Sequence, residues 1–264
     1  MKGELGHCQS GPGAMVASTN AHTGEEPPIS GTNGSGTVFF SGCPLGCVFC
    51  QNWPISQEGV GNGMSDSELA SRMLDLQHRG CHNINLVTPT HQVPAFLGAL
   101  ETAIGMGLRI PIVYNTGGFE SQAALELLDG VVDVYLPDIK YADDAVAERY
   151  SGAGNYVEIN RLALRAMYGQ VGRLKTGEDG LAESGMIVRH LVLPHGSAGT
   201  GDCMKYVADI DRELHVSLMM QYFPAHGAHE IPELSRKLTV QEQEAARSAF
   251  FDAGLRNGWI QDEY

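Results

Sequence analysis

Cys43, Cys47 and Cys50 place three thiols within eight residues, Cys43-Pro44-Leu45-Gly46-Cys47-Val48-Phe49-Cys50. Spaced by three and then by two residues, they can wrap a loop around one iron–sulfur cluster, each thiolate taking its own iron. A [4Fe–4S] cube held by three ligands keeps one iron open to an outside molecule. Gly42 and Gly46 are read as the residues that let the backbone turn tightly beside the cluster. A structural zinc site is the alternative, but it takes four ligands and often two Cys-x-x-Cys pairs. Only Cys47 and Cys50 make such a pair here, and Cys81 or Cys203 would have to complete the set without a local partner. A purely structural or electron-transfer cluster would also call for a fourth cysteine.

The elements that must position this loop can be read from the apolar pattern. Short, largely β-branched runs at 37–41, 83–88, 110–115, 131–137, 186–193 and 216–222 predict six strands buried on both faces. The cysteine loop directly follows the first of them. Helical patterns fill the gaps. Ser65-Asp66-Ser67-Glu68 and Thr239-Val240-Gln241-Glu242 are capping boxes, in which side chains satisfy the free N–H groups of a helix start. Ile159, Leu162, Ala163, Ala166 and Met167 predict the apolar stripe of a further helix. Strand–helix alternation implies parallel strands with right-handed crossovers. Six are too few for a closed eight-fold barrel, so an open sheet or a partial barrel is expected, with ligands at the carboxyl ends of the strands. Residues 1–36, rich in Gly, Ser, Thr, Asn and Pro, read as an irregular N-terminal arm on a single domain over 37–264.

Composition narrows the function classes. The 264 residues carry a formal charge of −14, which repels polyanions and argues against nucleic-acid or anionic-membrane partners. No apolar stretch approaches the roughly 20 residues that span a bilayer, and the first ten residues lack a secretory pattern. A cytoplasmic protein is expected. Clustered cysteines in a reducing compartment point to metal rather than to disulfides.

Cys-x-x-x-Cys-x-aromatic-Cys after a first strand resembles the signature of radical S-adenosylmethionine enzymes, with Phe49 as the aromatic residue. More narrowly, His22-Thr23-Gly24-Glu25-Glu26-Pro27-Pro28 and Gly34-Ser35-Gly36-Thr37-Val38-Phe39-Phe40-Ser41-Gly42-Cys43 look like an uncharacterised branch related to pyruvate formate-lyase activating enzyme. So do Cys50-Gln51-Asn52, Val87-Thr88-Pro89-Thr90-His91 and Gly258-Trp259-Ile260-Gln261. The resemblance implies a partial (β/α)6 barrel of the TIM type with a [4Fe–4S] cluster at its top. S-adenosylmethionine would chelate the open iron, and one electron would cleave it to methionine and a 5′-deoxyadenosyl radical that abstracts a hydrogen atom. The cofactor carries that chemistry; the protein positions it.

The same resemblance assigns roles to strand ends. Asp138-Ile139-Lys140 matches the Asp-Leu-Lys of the activating enzymes, so Lys140 would meet the methionine carboxylate as a compact charge and Asp138 would orient it or the amino group. A surface ion pair is the alternative for these two. Arg189, inside an apolar strand, would face the same carboxylate or else pair with an acidic neighbour. His226 stands where the activating enzymes have a ligand-facing histidine, or is a satisfied polar residue. Thr88-Pro89-Thr90 replaces their Gly-Gly-Glu, so amino-group recognition passes to carbonyl or hydroxyl oxygens. Asn115-Thr116-Gly117-Gly118 replaces their Asp-Thr-Asn-Gly and loses a carboxylate beside the cofactor. Phe49, Thr88, Asn115, Thr116, Asp138, Lys140, Arg189 and His226 are thus the expected cofactor residues. Relatives often begin with a longer cysteine-bearing segment ahead of Gly3–Cys8, so no N-terminal metal site is expected and the start reads as shortened. The expected partners are a protein substrate such as a glycyl radical enzyme and an electron donor such as flavodoxin or ferredoxin. Two alternatives are a small-molecule or peptide substrate and a non-catalytic iron–sulfur or zinc protein.

Overall fold

A computed structural model describes residues 13–261. The chain opens with β1 (Ala14–His22), α1 (Pro27–Ser30), β2 (Ser35–Phe40), α2 (Trp53–Ser56) and β3 (Asn62–Met64). Alternation follows through α3 (Asp66–His78), β4 (Ile84–Val87), α4 (Val93–Gly105), β5 (Ile112–Thr116), α5 (Gln122–Leu128) and β6 (Val134–Pro137). Two helices, α6 (Asp144–Ser151) and α7 (Tyr156–Val171), lead through β7 (Lys175–Thr176) into β8 (Ala182–Leu191). Then come α8 (Thr200–Ile210), β9 (His215–Met219), α9 (Val240–Asp252) and β10 (Gly258–Gln261).

The strands form one sheet in the order β10-β9-β8-β6-β5-β4-β2-β1-β3, with β7 on β8. Every pairing from β2 through β10 along this path is parallel, while β1 runs antiparallel to β2 and β3. The sheet does not close, so the fold is the expected partial barrel. Its strands are apolar on both faces for a visible reason. Val113, Val134, Leu136 and Ile187 point inward and pack with Ile29 of α1. Ile84, Leu86, Tyr114, Tyr135 and Val188 point outward and join the large core beneath the helices. Both capping boxes form as expected, at Ser65 with Glu68 and at Thr239 with Glu242.

Three expectations need correction. Residues 14–22 are not irregular: β1 pairs with β2 from Val16 to His22, and Ala14 and Val16 are buried. Its Ser, Thr and Asn residues hide the strand, because a backbone ladder needs no apolar side chain to form. The rest of the predicted arm up to residue 12, with Cys8, lies outside the described residues. In α7 the buried face runs through Tyr156, Asn160, Ala163, Leu164 and Met167, while Leu162 is 50% exposed. The predicted stripe therefore shares Ala163 and Met167 with the buried face and departs from it at Leu162, which faces outward. Finally, Gly258-Trp259-Ile260-Gln261 adds a seventh parallel strand, β10, in register with Val216–Met219. No helix among the described residues is long and apolar enough to cross a membrane.

Gly258 makes β10 attainable. Its φ is +131°, and a Cβ there would lie 1.9 Å from the Val216 carbonyl oxygen. Gly258→Ala should lower the melting temperature by about 4–10 °C, from strain on the order of 2–3 kcal/mol. It should also speed amide exchange at 259–261. An unchanged melting curve would contradict this account of β10.

Candidate active site

The cysteine loop is shaped by backbone bonds at both ends. Gly42 has φ +85°, which a residue with a side chain adopts only under strain, and its N–H donates to the Ile55 carbonyl at 3.0 Å. At the far side, Gly46 N–H donates to the Ser151 carbonyl and Val48 N–H to that of Tyr150, both at 2.9 Å. These carbonyls end α6, where a helix leaves acceptors without partners of its own. The loop thus hangs from the carboxyl end of α6. Gly46 does not take the tight turn expected of it: it is not in the left-handed region, and the nearest atom to an added Cβ would be 3.8 Å away. Phe49 is 6% exposed and meets the Tyr222 ring edge-on at 6.1 Å, which pins the loop to the segment after β9. Phe49 therefore packs the loop from behind and does not line the cavity.

Cys43, Cys47 and Cys50 line one cavity of about 440 Å³, and Thr88, Asn115, Thr116, Asp138, Lys140 and Arg189 share its wall. The structure thereby brings together nine of the eleven residues proposed from sequence (three cysteines and six of eight others). His226 is not among them. It has φ +49° and stacks on Trp53 at 5.1 Å between ring centroids, behind the cysteine loop. Among the described residues no three Cys, His, Asp or Glu side chains converge tightly enough to hold one metal ion. Ligands that each take a separate iron need no such convergence.

The donor chemistry fits an iron–sulfur cluster. Burial, with Cys47 nearby, pushes the Cys43 thiol up to about 12. Burial also raises Cys47, against the pull of the Lys140 ammonium. Deprotonation of these thiols therefore needs a strong cation in place, and metal binding would release their protons.

Two partly buried cations face this cavity. The Lys140 ammonium contacts the Asp138 carboxylate; although burial opposes its charge, Asp138 outweighs that and holds it well above its ordinary range. Side-chain exposures of 18% and 21% make this a pair in the cavity wall rather than on the surface. His190 fixes the backbone between them. Its Nδ1 meets the Ile139 carbonyl at 2.6 Å and its Nε2 meets Thr200 Oγ1 at 2.9 Å. Burial lowers this imidazole to about 4, so it stays neutral at neutral pH. Arg189 takes the acidic-neighbour alternative. Nε and Nη2 donate to the two oxygens of Glu26 at 2.8 and 2.6 Å, and Nη2 also contacts Glu25. Glu25 in turn meets His22 Nδ1 at 3.1 Å. The bidentate arrangement commits the guanidinium to protein carboxylates.

Sequence reasoning missed the partners of these groups. Glu25 and Glu26 sat in a stretch read as an arm, although an arginine in an apolar strand called for acids nearby. Glu120 gave no signal at all. It is 1% exposed and accepts from Thr90 Oγ1 at 2.5 Å, from Tyr114 OH at 3.2 Å and from the Thr116 hydroxyl. Burial raises its carboxyl to about 7 despite these three donors. A carboxyl group therefore does stand behind Thr116, five residues after Asn115, which holds the position of the activating enzymes' aspartate.

Cys43→Ala, Cys47→Ala and Cys50→Ala should each abolish iron uptake on anaerobic reconstitution, while Cys81→Ala and Cys203→Ala should retain it. Lys140→Ala should keep the iron and weaken S-adenosylmethionine binding about tenfold or more, the order expected for losing one buried charge-assisted contact. Iron assay with equilibrium binding checks both; cluster loss in the Cys81 or Cys203 variant would mean a different ligand set.

The profile of the Radical SAM superfamily matches residues 37–167. An uncharacterized protein of Methanocaldococcus jannaschii is 32% identical over 234 residues, covering 85% of this chain and 63% of that protein. The chain thus spans less than two thirds of the length of the curated relative it matches. A radical SAM methyltransferase from Sphaerobacter thermophilus superposes with a TM-score of 0.55 at 17% identity, over 85% of this chain and 65% of that one. The structure of native anSMEcpe with bound AdoMet gives 0.54 at 12% identity, over 80% and 57%. At such identities the two structures establish the fold. Residues 37–167, with the cysteine loop and the parallel strands that carry it, thus form a domain of the radical S-adenosylmethionine superfamily.

Proposed function

We propose that this chain holds a [4Fe–4S] cluster on Cys43, Cys47 and Cys50 and uses it with S-adenosylmethionine to abstract a hydrogen atom from a protein partner, of the glycyl radical enzyme type. The superfamily is defined by that pair of cofactors. When bound, the cluster would pass one electron to the sulfonium, giving methionine and a 5′-deoxyadenosyl radical. A flavodoxin or ferredoxin would supply the electron.

The remaining tasks fall to residues of the cavity. Lys140 offers the methionine carboxylate a compact cation, and Asp138 keeps that cation charged and in place. Asn115 and Thr88 bring the oxygens available to an amino group. Thr116 has its hydroxyl committed to Glu120, so it serves the wall rather than the ligand.

The observation that supports a protein partner is the open side of the barrel. The sheet ends at β10 and β3, and no strand among the described residues bridges them. Gln261 of β10 lines the cavity from one side, and His22 at the end of β1 lines it from the other. A segment borne by a partner can enter along this gap and exclude water from a radical site. A small-molecule or peptide substrate is the second reading, favoured by the charged end that His22, Glu25 and Arg189 give the same cavity.

The test is anaerobic. Reduced, reconstituted enzyme with S-adenosylmethionine is mixed with each glycyl radical protein encoded near it, and spectra are recorded. A glycine-centred radical signal is expected. Its absence from every partner, together with 5′-deoxyadenosine formed only when cell extract is added, would move the assignment to the second reading.

A further inference from the structure

Each sulfur of the cysteine trio has its own hydrogen-bond partner. Cys43 Sγ accepts from Leu45 N–H at 3.4 Å, Cys47 Sγ from Ser151 Oγ at 2.9 Å, and Cys50 Sγ lies 3.2 Å from Ser56 Oγ. The first is local to the loop. The other two come from different elements, α6 and α2, and both partners are hydroxyls.

The directions of these bonds follow from inventory. A cluster-bound thiolate has no proton to give, so Ser56 must donate to Cys50. Ser151 has a single hydroxyl proton and gives it to Cys47. Tyr141 OH lies 2.6 Å from Ser151 Oγ and must therefore donate to it. The result is a directed chain, Tyr141 to Ser151 to Cys47, in which each bond polarises the next. Tyr141 and Ser151 are each 1% exposed and Cys47 is 8% exposed, so no water competes for these protons. Ser151 also holds the loop through its carbonyl, which accepts from Gly46 N–H. The hydroxyl is therefore not needed to hang the loop, and some other role must account for it.

Hydrogen bonds to cluster sulfurs are one of the terms that set a cluster's reduction potential, because they stabilise the extra negative charge of the reduced state. We propose that the Tyr141–Ser151 chain and Ser56 raise the reduction potential of the cluster by donating to Cys47 and Cys50, the first more strongly than the second. Ser151, Tyr141 and Ser56 are thus positioning residues that make the cluster easier to reduce by one electron. The proposal rests on the cluster reading and is independent of what the substrate is.

The experiment is a redox titration of the reconstituted full chain, with dithionite and mediators, read by electron paramagnetic resonance. At the poise where the wild type is half reduced, Ser151→Ala should lower the reduced-to-oxidised ratio about tenfold, equivalent to about 59 mV for a one-electron couple. Tyr141→Phe and Ser56→Ala should each lower it about threefold, and Ser151→Thr, which keeps the hydroxyl, should stay near wild type. Iron content should be unchanged throughout. Wild-type ratios in Ser151→Ala and Ser56→Ala at full iron content would overturn the proposal. So would iron loss in Ser151→Ala with Tyr141→Phe and Ser56→Ala unaltered, since that would make the hydroxyl a brace for the loop. A wild-type chain that takes up no cluster would overturn the cluster reading as well, which separates the two failures.

Discussion

The suspension of the cysteine loop from α6 is the constraint on which the site depends. A segment with almost no regular structure must hold three sulfurs at fixed positions, and such segments lack internal ladders to do so. Here the carbonyls of Tyr150 and Ser151, left without partners by the end of the helix, accept from Val48 and Gly46. Phe49 locks the same loop to Tyr222 from behind. Because α6 is itself packed through Ala147 and Tyr150 into the main core, the position of the sulfurs is set by the packing of the whole barrel wall. The helix contributes structure with its backbone and chemistry with the hydroxyl of its last residue.

Charge is distributed around the cavity in self-contained pairs. Lys140 with Asp138, and Arg189 with Glu25 and Glu26, are largely buried groups whose partners sit within the same wall. A buried ion left alone would cost several kcal/mol, whereas a paired one keeps its charge available at the surface of a cavity. The consequence is a site with a defined electrostatic pattern even though the chain carries a net charge of −14. Lys140 stands near the sulfurs, while His22 and Glu25 form a separate charged end. Glu120 adds a third layer, a carboxyl held behind Thr116 by three hydroxyl groups.

The parallel core, both capping boxes and the grouping of three cysteines at one site were legible in the sequence, because each rests on local pattern or spacing. Apolar runs of β-branched residues mark strands covered on both faces, and Ser65 and Thr239 announce helix starts within four residues. What could not be read depends on long-range placement. β1 carries polar side chains and exists through its ladder with β2. The role of Arg189 turned on Glu25 and Glu26, 163 to 164 positions away in the chain, so only the general need for an acid could be foreseen. Glu120 and Ser151 look like ordinary residues of a loop and a helix end until the fold brings hydroxyls and sulfurs to them. His226 shows the converse failure, since a matching position in sequence did not bring the ring into the cavity.

The most direct test of the central claim is the electron paramagnetic resonance spectrum of the reduced, reconstituted protein with and without S-adenosylmethionine. A cluster with three cysteine ligands and one open iron should give a signal whose shape changes when the cofactor is added. An identical spectrum in both conditions, at full iron content, would contradict the open-iron site and with it the reading of this cavity.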